Sequence, residues 1–331
     1  MDISVIICTY NPVEKIFRRC LEAVAKLIRT DITAEVTIVD NNSTQPVSEL
    51  AYVKSFIQSV PNSKVIVEKQ QGLTFARISG FENSSGQIIT FFDDDNEPES
   101  HYLVEAVKIH RARPFLGIVG PGKIIVEYVD GTDPWISAHL GGLFQQKNAQ
   151  REEYILSVMN WAPCYPPGTG QVLKREVFEK YLELVRNTKL QTTDRKGSSL
   201  SSAGDSQMIW VSIANDYAVG HHPLLQVNHL IPSTRANFDY LKRLTYYLEL
   251  SGRLAYVEMF PSKKAEAPVF GNSSFFYQLS KTFFNAIIRG QTKGLGVALA
   301  ELLGRSEANV RIHQVAMPAT LSMLKKALSI R

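Results

Sequence analysis

No apolar run in this 331-residue chain is long enough to cross a bilayer. The best candidate, GLGVALAELLG at 294–304, falls well short of the roughly 20 residues a helical span needs. Cysteine is scarce: Cys8, Cys20 and Cys164 stand at unrelated spacings. That is neither a disulfide framework nor a zinc pattern, and it points to a reducing compartment. The chain begins MDISVIICTY, acidic and then strand-like, without the basic n-region of a secretory signal. The expectation is a cytoplasmic protein, or one held peripherally at the inner face of a membrane. A Gly-Lys-Ser/Thr loop is missing too, because GPGK at 120–123 continues into Ile-Ile; this excludes a P-loop nucleotidase. There is no internal repeat.

What is present suits a soluble globular enzyme: 44% hydrophobic residues and 21% charged. The net charge of +4 is too small to suggest a nucleic-acid partner, but it is unevenly placed. Residues 231–331 carry 14 Lys and Arg against 6 Asp and Glu, while the first 230 carry 22 against 26. A basic C-terminal part is either a solvated helical face or a surface for an anionic membrane or an acidic acceptor. The segment SFFYQLSKTFFNAIIRG (274–290) has the aromatics and cations for phospholipid contact. Packing on the body and a homo-oligomer contact are its alternatives.

Along the chain, ISVIICTY (3–10), EVTIVDNNS (35–43), SKVIVEK (63–69) and QIITFFDDD (87–95) read as strands rich in β-branched and aromatic residues. Between them EKIFRRCLEAVAKLI (14–28), LAYVKSFIQSV (50–60) and LTFARISGFENS (73–84) carry apolar residues at helical spacing. This alternation predicts an α/β fold with a mostly parallel central sheet and helices on both faces. In such sheets ligands bind beyond the carboxyl ends of the strands. Thr9, Asp40, Asn41 and Asp93 to Asp95 all fall there. After residue 98 the alternation breaks down: a helix at 102–112 leads to GIVGPGKIIVEYV (117–129) and a Trp- and Gly-bearing stretch to residue 150. A Pro/Gly loop leading to a strand and helix within 160–181, and a polar Ser/Gly-rich surface loop at 190–204, follow. A helix over 205–216, a turn at His221-His222, a last strand over 222–232 and a mostly helical end with a linker at 261–274 complete the reading. The domains expected are 1–232, with a nucleotide half (1–97) and an acceptor half (98–232), followed by a helical region over 233–331.

Asp93-Asp94-Asp95 closes an apolar strand with three like charges. Adjacent carboxylates stay ionised together when a hard divalent cation lies between them, and Mg²⁺ or Mn²⁺ would take further oxygens from a substrate phosphate. The alternative is a solvated turn in which Asp95 or Asn96 caps the helix after Pro98.

In order and separation, SVIICTYNP, VTIVDNNST, GLTFARISGFENSSGQIITFFDDDN, AGDSQMIW and VNHLIP resemble family 2 glycosyltransferases, inverting enzymes of the GT-A fold, over roughly residues 1–232. The resemblance implies transfer of a sugar from a nucleotide-diphosphate donor, a UDP- or dTDP-sugar, to a hydroxyl of a glycan or lipid-linked glycan, in bacterial surface polysaccharide or glycan synthesis. It implies that Thr9, Tyr10 and Asn11 line the nucleotide pocket and that Asp40 and Asn41 meet the base. Asn41 stands where the family usually has an acid, although an amide still donates to and accepts from a base edge; an Asx turn in DNNS is the structural alternative. Arg77 would reach the base or diphosphate. Asp93 and Asp95 are the two ends of the family's Asp-x-Asp metal motif, Asp94 faces the sugar or diphosphate, and His229 is a further metal ligand or else a histidine bonded to backbone. Asp205 takes the place of the catalytic base, preceded by Gly204 where the family commonly has glutamate. Gly-Asp before an apolar run is also what a helix N-cap looks like, and that position would lower its basicity.

The loop at 190–204 is expected to fold over donor and acceptor and exclude water. Trp135, Trp161, Tyr165 and Trp210 are candidates for stacking on sugar rings, or core. Two rival readings remain. A haloacid-dehalogenase-like phosphatase needs its Asp-x-Asp on the first strand and Thr or Val where this chain has Glu97. A catalytically inactive sugar-nucleotide-binding protein would keep all its function without Asp205.

Overall fold

The computed structural model describes residues 1–187, 190, 192, 194–197, 199–288, 290 and 292–330. Positions 191, 193 and 198 of the 190–204 loop, and 289 of the 274–290 segment, lie outside the described residues.

The N-terminal alternation is β1 (Ile3–Thr9), α1 (Glu14–Ala25), β2 (Ala34–Asp40), α2 (Ala51–Ser59), β3 (Ser63–Val67), α3 (Leu73–Glu82) and β4 (Ile88–Asp93). β5 (Asn96–Pro98), α4 (Tyr102–Ala112), β6 (Leu116–Tyr128), α5 (Pro134–His139), β7 (Lys147–Asn148), β8 (Glu153–Ile155), β9 (Gln171–Lys174), α6 (Arg175–Arg186), α7 (Gly204–Ala214) and β10 (Ala218–Ile231) follow. The end is helical: α8 (Phe238–Met259), α9 (Asn272–Ile288), α10 (Leu295–Ile312) and α11 (Ala319–Ala327).

One sheet runs β3-β2-β1-β4-β9-β6-β10-β5, with β7 beside β6 and β8 beside β10. Its first half is parallel, as the alternation requires. β9 then enters antiparallel between β4 and β6, so the second half is mixed. β1 is buried along its whole length. Ile3, Val5 and Ile7 face one core with Phe17, Leu21 and Val24 of α1. Ile6 and Cys8 face the other with Ala76 of α3, Phe178 of α6 and Trp210 of α7. α3 approaches β1 so closely that a Cβ on Gly80 would stand 2.4 Å from Ile6 Cγ2. Only a residue without a side chain lets the helix lie this near.

The expected turn at His221-His222 is strand instead. β10 begins at Ala218 and pairs with β6 through both histidines, and the irregularity falls between His222 and Gln226. The irregularity accommodates Pro223, which has no N–H to give a regular ladder. Beyond residue 232 the helices are stitched to the body. Ala255 of α8 belongs to the second core, and the Tyr256 ring lies 5.3 Å from Trp210. Glu307, fully buried on α10, accepts from the Tyr246 hydroxyl at 2.7 Å and faces Lys325 at 3.1 Å, tying α8, α10 and α11 together.

Candidate active site

The parallel registers bring the polar strand ends into line: Thr9 of β1 sits opposite Asp40 of β2, and Cys8 opposite Asp93 of β4. Beyond this edge lies a cavity of about 260 Å³ lined by Thr9, Tyr10, Asn41, Gly72, Asp93, Asp94 and Asp95. Arg195, Lys196, Ser199 and Leu200 of the polar loop form its far wall, and Leu73 N donates to Arg195 O at 3.1 Å. The described part of that loop lines the cavity.

The three aspartates have unlike surroundings. Asp95 is buried, accepts from Asn96 Nδ2 at 2.8 Å and forms an ion pair with Arg235. His229 Nε2 stands 3.5 Å from its Oδ2. Because β5 pairs antiparallel with β10, His229 is set beside Asn96, and its Nδ1 donates to Phe144 O at 2.9 Å, which fixes the ring with Nε2 toward Asp95. Burial alone would raise the Asp95 carboxyl, but His229 and Arg235 hold it well below the usual carboxylate range. Asp94 accepts from the Thr9 hydroxyl at 2.6 Å; burial and then Asp95 push its carboxyl up to about 7. Asp93 is raised by the same two causes. Arg235, which the sequence reading passed over, therefore neutralises one charge of the triplet.

Among the described residues no three His, Cys, Asp or Glu side chains converge tightly enough to hold an ion by themselves. Asp93 and Asp94 nevertheless offer carboxylate oxygens to the cavity, each made costly to ionise by its neighbours. That is a donor set suited to a hard cation that completes its shell with oxygens of a substrate.

Several expected contacts turn inward. Asp40 accepts from Ser43 N at 2.8 Å and Val47 N at 3.0 Å. It builds the Asx turn, and both its oxygens are engaged. Asn41 donates to Glu68 O and Gln70 O at 3.2 and 2.8 Å and accepts from Gly72 N at 2.7 Å. Its amide anchors the corner leading into α3, and the base edge it was expected to offer is spent on backbone. Gly72 takes that corner at φ 136°, where a side chain would be strained. Asn11, at φ 47°, accepts from Thr44 N at 2.8 Å while its own N–H donates to Ser43. It ties the two strand-end turns together.

Arg77 does not reach the cavity surface. Its guanidinium is buried, 3.0 Å from Asp194 Oδ2 and 5.4 Å from the Phe91 ring centre. Asp194 in turn accepts from Ala203 N at 2.9 Å and Gly204 N at 2.7 Å, so it caps α7 from ten residues upstream. The capping role open to Asp205 is thus already filled. Asp205 accepts from Gly168 N at 3.1 Å and from Ser206 N at 2.9 Å. A helix N-terminus would lower its pKa, yet burial and the nearby Asp194 raise it.

Asp205 lines a second cleft, of about 520 Å³, with Gln146, Asn160, Trp161, Tyr165, Pro166 and Arg253. Trp161 is 64% exposed there. Trp210 is core, and Trp135 stacks on His139 at 4.6 Å, away from this cleft. A Cβ on Gly168 would lie 3.3 Å from both Arg77 Nη2 and Asp205 Oδ2. Gly168 therefore packs against both the Arg77 guanidinium and the Asp205 carboxylate. Arg235 and Asp194 carried no signal in the sequence, since each meets its partner over more than a hundred residues of chain.

A curled α/β sheet with an acidic strand end beside a cavity, and a helical C-terminal part, is the GT-A glycosyltransferase architecture. The mannosyltransferase PcManGT of Pyrobaculum calidifontis, solved with GDP-Man and Mn²⁺, shares the fold: TM-score 0.51, 18% identity, over 93% of this chain and 86% of that one. The chain belongs to glycosyl transferase family 2, whose family model matches residues 4–182. Glycosyltransferase AglE of Haloferax volcanii is 38% identical over 106 residues, 32% of this chain and 34% of that protein. An uncharacterized glycosyltransferase of Nostoc sp. is 29% identical over 182 residues, 54% of this chain and 53% of that one. The chain thus spans between a third and about half the length of these curated relatives. The phosphatase reading loses its footing, because the aspartates end the fourth strand of the chain and not the first.

Proposed function

We propose that this chain is an inverting glycosyltransferase that binds a UDP- or dTDP-sugar in the cavity at the strand ends and transfers its sugar to a glycan hydroxyl held in the cleft beside Asp205. The observation that carries the reading is the position of Asp205. It is a half-buried carboxylate of raised pKa that opens on the cleft, with Gly168 and Arg77 between it and the acidic strand end. A raised pKa makes the carboxylate a better proton acceptor near neutrality. Asp205 removes the proton from the acceptor hydroxyl as its oxygen attacks C1 of the sugar. Attack from the face opposite the departing diphosphate inverts the anomeric centre.

Residues 1–97 supply most of the donor site, which the 195–200 stretch closes, and 98–232 most of the acceptor site. We place the base against the Gly72 corner that Asn41 holds, beside Thr9 and Tyr10. Asp93 and Asp94, backed by Asp95 and His229, are the residues that would hold Mn²⁺ or Mg²⁺ together with substrate oxygens, and the bound ion would offset the negative charge of the diphosphate. Arg195 and Lys196 face the same space and serve the same charge. Trp161 and Tyr165 give the acceptor sugar a flat apolar wall. A glycan or lipid-linked glycan, as in surface polysaccharide synthesis, suits the size and mixed lining of this cleft.

The test is a thermal-shift panel of UDP, GDP, dTDP and CMP, each with and without Mn²⁺, on the wild type and on Asp205→Asn. UDP or dTDP should stabilise both proteins, and more so with Mn²⁺. Asp205→Asn should lose transfer by about a hundredfold or more. Unchanged transfer by this variant, or no nucleotide that stabilises the chain, overturns the proposal.

A further inference from the structure

No described helix is long and apolar enough to cross a membrane, yet α9 leaves large apolar side chains uncovered. Of its 17 residues only Phe275 and Ala286 are buried. At about 100° per residue these two, with the half-buried Leu279 and Thr282, form a narrow stripe facing the body. Beside that stripe Phe283, Phe276, Ile287, Phe284, Tyr277 and Ile288 follow one another around an arc of about 140°. Each of the six is between 42% and 69% exposed. Lys281 stands next to Ile288 at the edge of the arc and is itself exposed. Between Glu266 and Glu301 the sequence holds Lys281, Arg289 and Lys293 and no acidic residue.

We infer that α9 is an interfacial helix whose apolar arc enters the headgroup boundary of an anionic phospholipid surface, with the body of the protein resting above it. Charge decides between the candidate occupants. A second copy would set Lys281 and the same net-basic C-terminal region against their like. An anionic lipid surface meets Lys281 and the basic C-terminal region with opposite charge while the arc takes up acyl chains. The inference stands apart from the donor and acceptor assignments, and it adds that the protein works at a membrane face.

The full chain is floated with vesicles of phosphatidylcholine alone and of phosphatidylcholine with phosphatidylglycerol. Wild type should bind the anionic vesicles and be released by salt. Two variants probe the arc: Phe284→Asp with Ile288→Asp, and Ser280→Asp, which adds a charge inside the arc and removes no packing. Both should bind about tenfold less or weaker still, with unchanged circular dichroism. Transfer to a soluble acceptor, or nucleotide-induced stabilisation, should be unchanged in both variants, so failure here is separable from failure of the functional proposal. Equal binding by wild type and variants, or none by wild type, overturns the inference. So does a dimer in light scattering that the variants convert to monomer, since a second copy would then cover the arc.

Discussion

Asp194→Ala should be among the most damaging single changes in this protein, although Asp194 touches no expected ligand. The Arg77 and Asp194 side chains are 6% and 2% exposed, so removing the carboxylate leaves a guanidinium buried without its nearest countercharge. Breaking such a pair costs about 3–5 kcal/mol. Loss of the two bonds to Ala203 N and Gly204 N uncaps α7 and adds about 1 kcal/mol. The sum, about 4–6 kcal/mol, is a large share of the roughly 5–15 kcal/mol that holds a protein folded. Asp194→Asn keeps an oxygen for the cap and loses only the charge, so it should fall between wild type and Asp194→Ala. Arg77→Met with Asp194→Leu removes both charges and should show a coupling of about 2–3 kcal/mol relative to the single changes. Urea unfolding at constant m measures each value. A coupling below about 0.5 kcal/mol would refute the reasoning, because the two groups would then be independent. Asp194→Asn makes a second, kinetic statement. Asp194 raises the Asp205 pKa, second only to burial, so without its charge Asp205 deprotonates at lower pH. The acid limb of the transfer rate should move the same way.

Two further expectations follow from the site. Asp94 is held up to about 7, so below that value a cation must displace a proton, and Mn²⁺-induced stabilisation should grow by about tenfold in affinity per pH unit up to about 7 and then level off. The cation-free chain should lose stability as pH rises from the ordinary carboxylate range to about 7, because over that window the folded state keeps a proton the unfolded chain has released; a flat profile in denaturant titrations would count against the assignment. Trp161→Ala removes an exposed ring of the acceptor cleft, and should raise the acceptor KM by about two- to tenfold while leaving nucleotide-induced stabilisation intact; a loss of nucleotide binding instead would place the acceptor elsewhere.

The sequence was most legible where structure is local. A β-branched run stopped by Asn11-Pro12, the amphipathic spacing of Phe17, Leu21 and Val24, and strands ending on polar residues all depend on near neighbours. Each appears in the fold within a few residues of its expected bounds. The edge along which Thr9, Asp40 and Asp93 align was legible as well, since parallel strands joined by helices put their carboxyl ends on one side. A pattern of residue types does not say how a polar group spends its hydrogen bonds. Asp40 and Asn41 have the chemistry to meet a base, but the backbone of 43–47 and 68–72 claims them first.

By itself the chain determined the alternating α/β order, the acidic end of its fourth strand and the basic, apolar-rich helices that close it. These follow from periodicity and composition, which need no knowledge of what lies far away in sequence. Tertiary structure alone decided which charges face each other, Arg235 on Asp95 and Arg77 on Asp194, and that Asp205 opens on the cleft. The reason is physical. The free energy of a buried charge is set by whatever packs within a few ångströms of it, and here those neighbours are brought together by the antiparallel pairing of β5 with β10 and by a loop folded back onto α3.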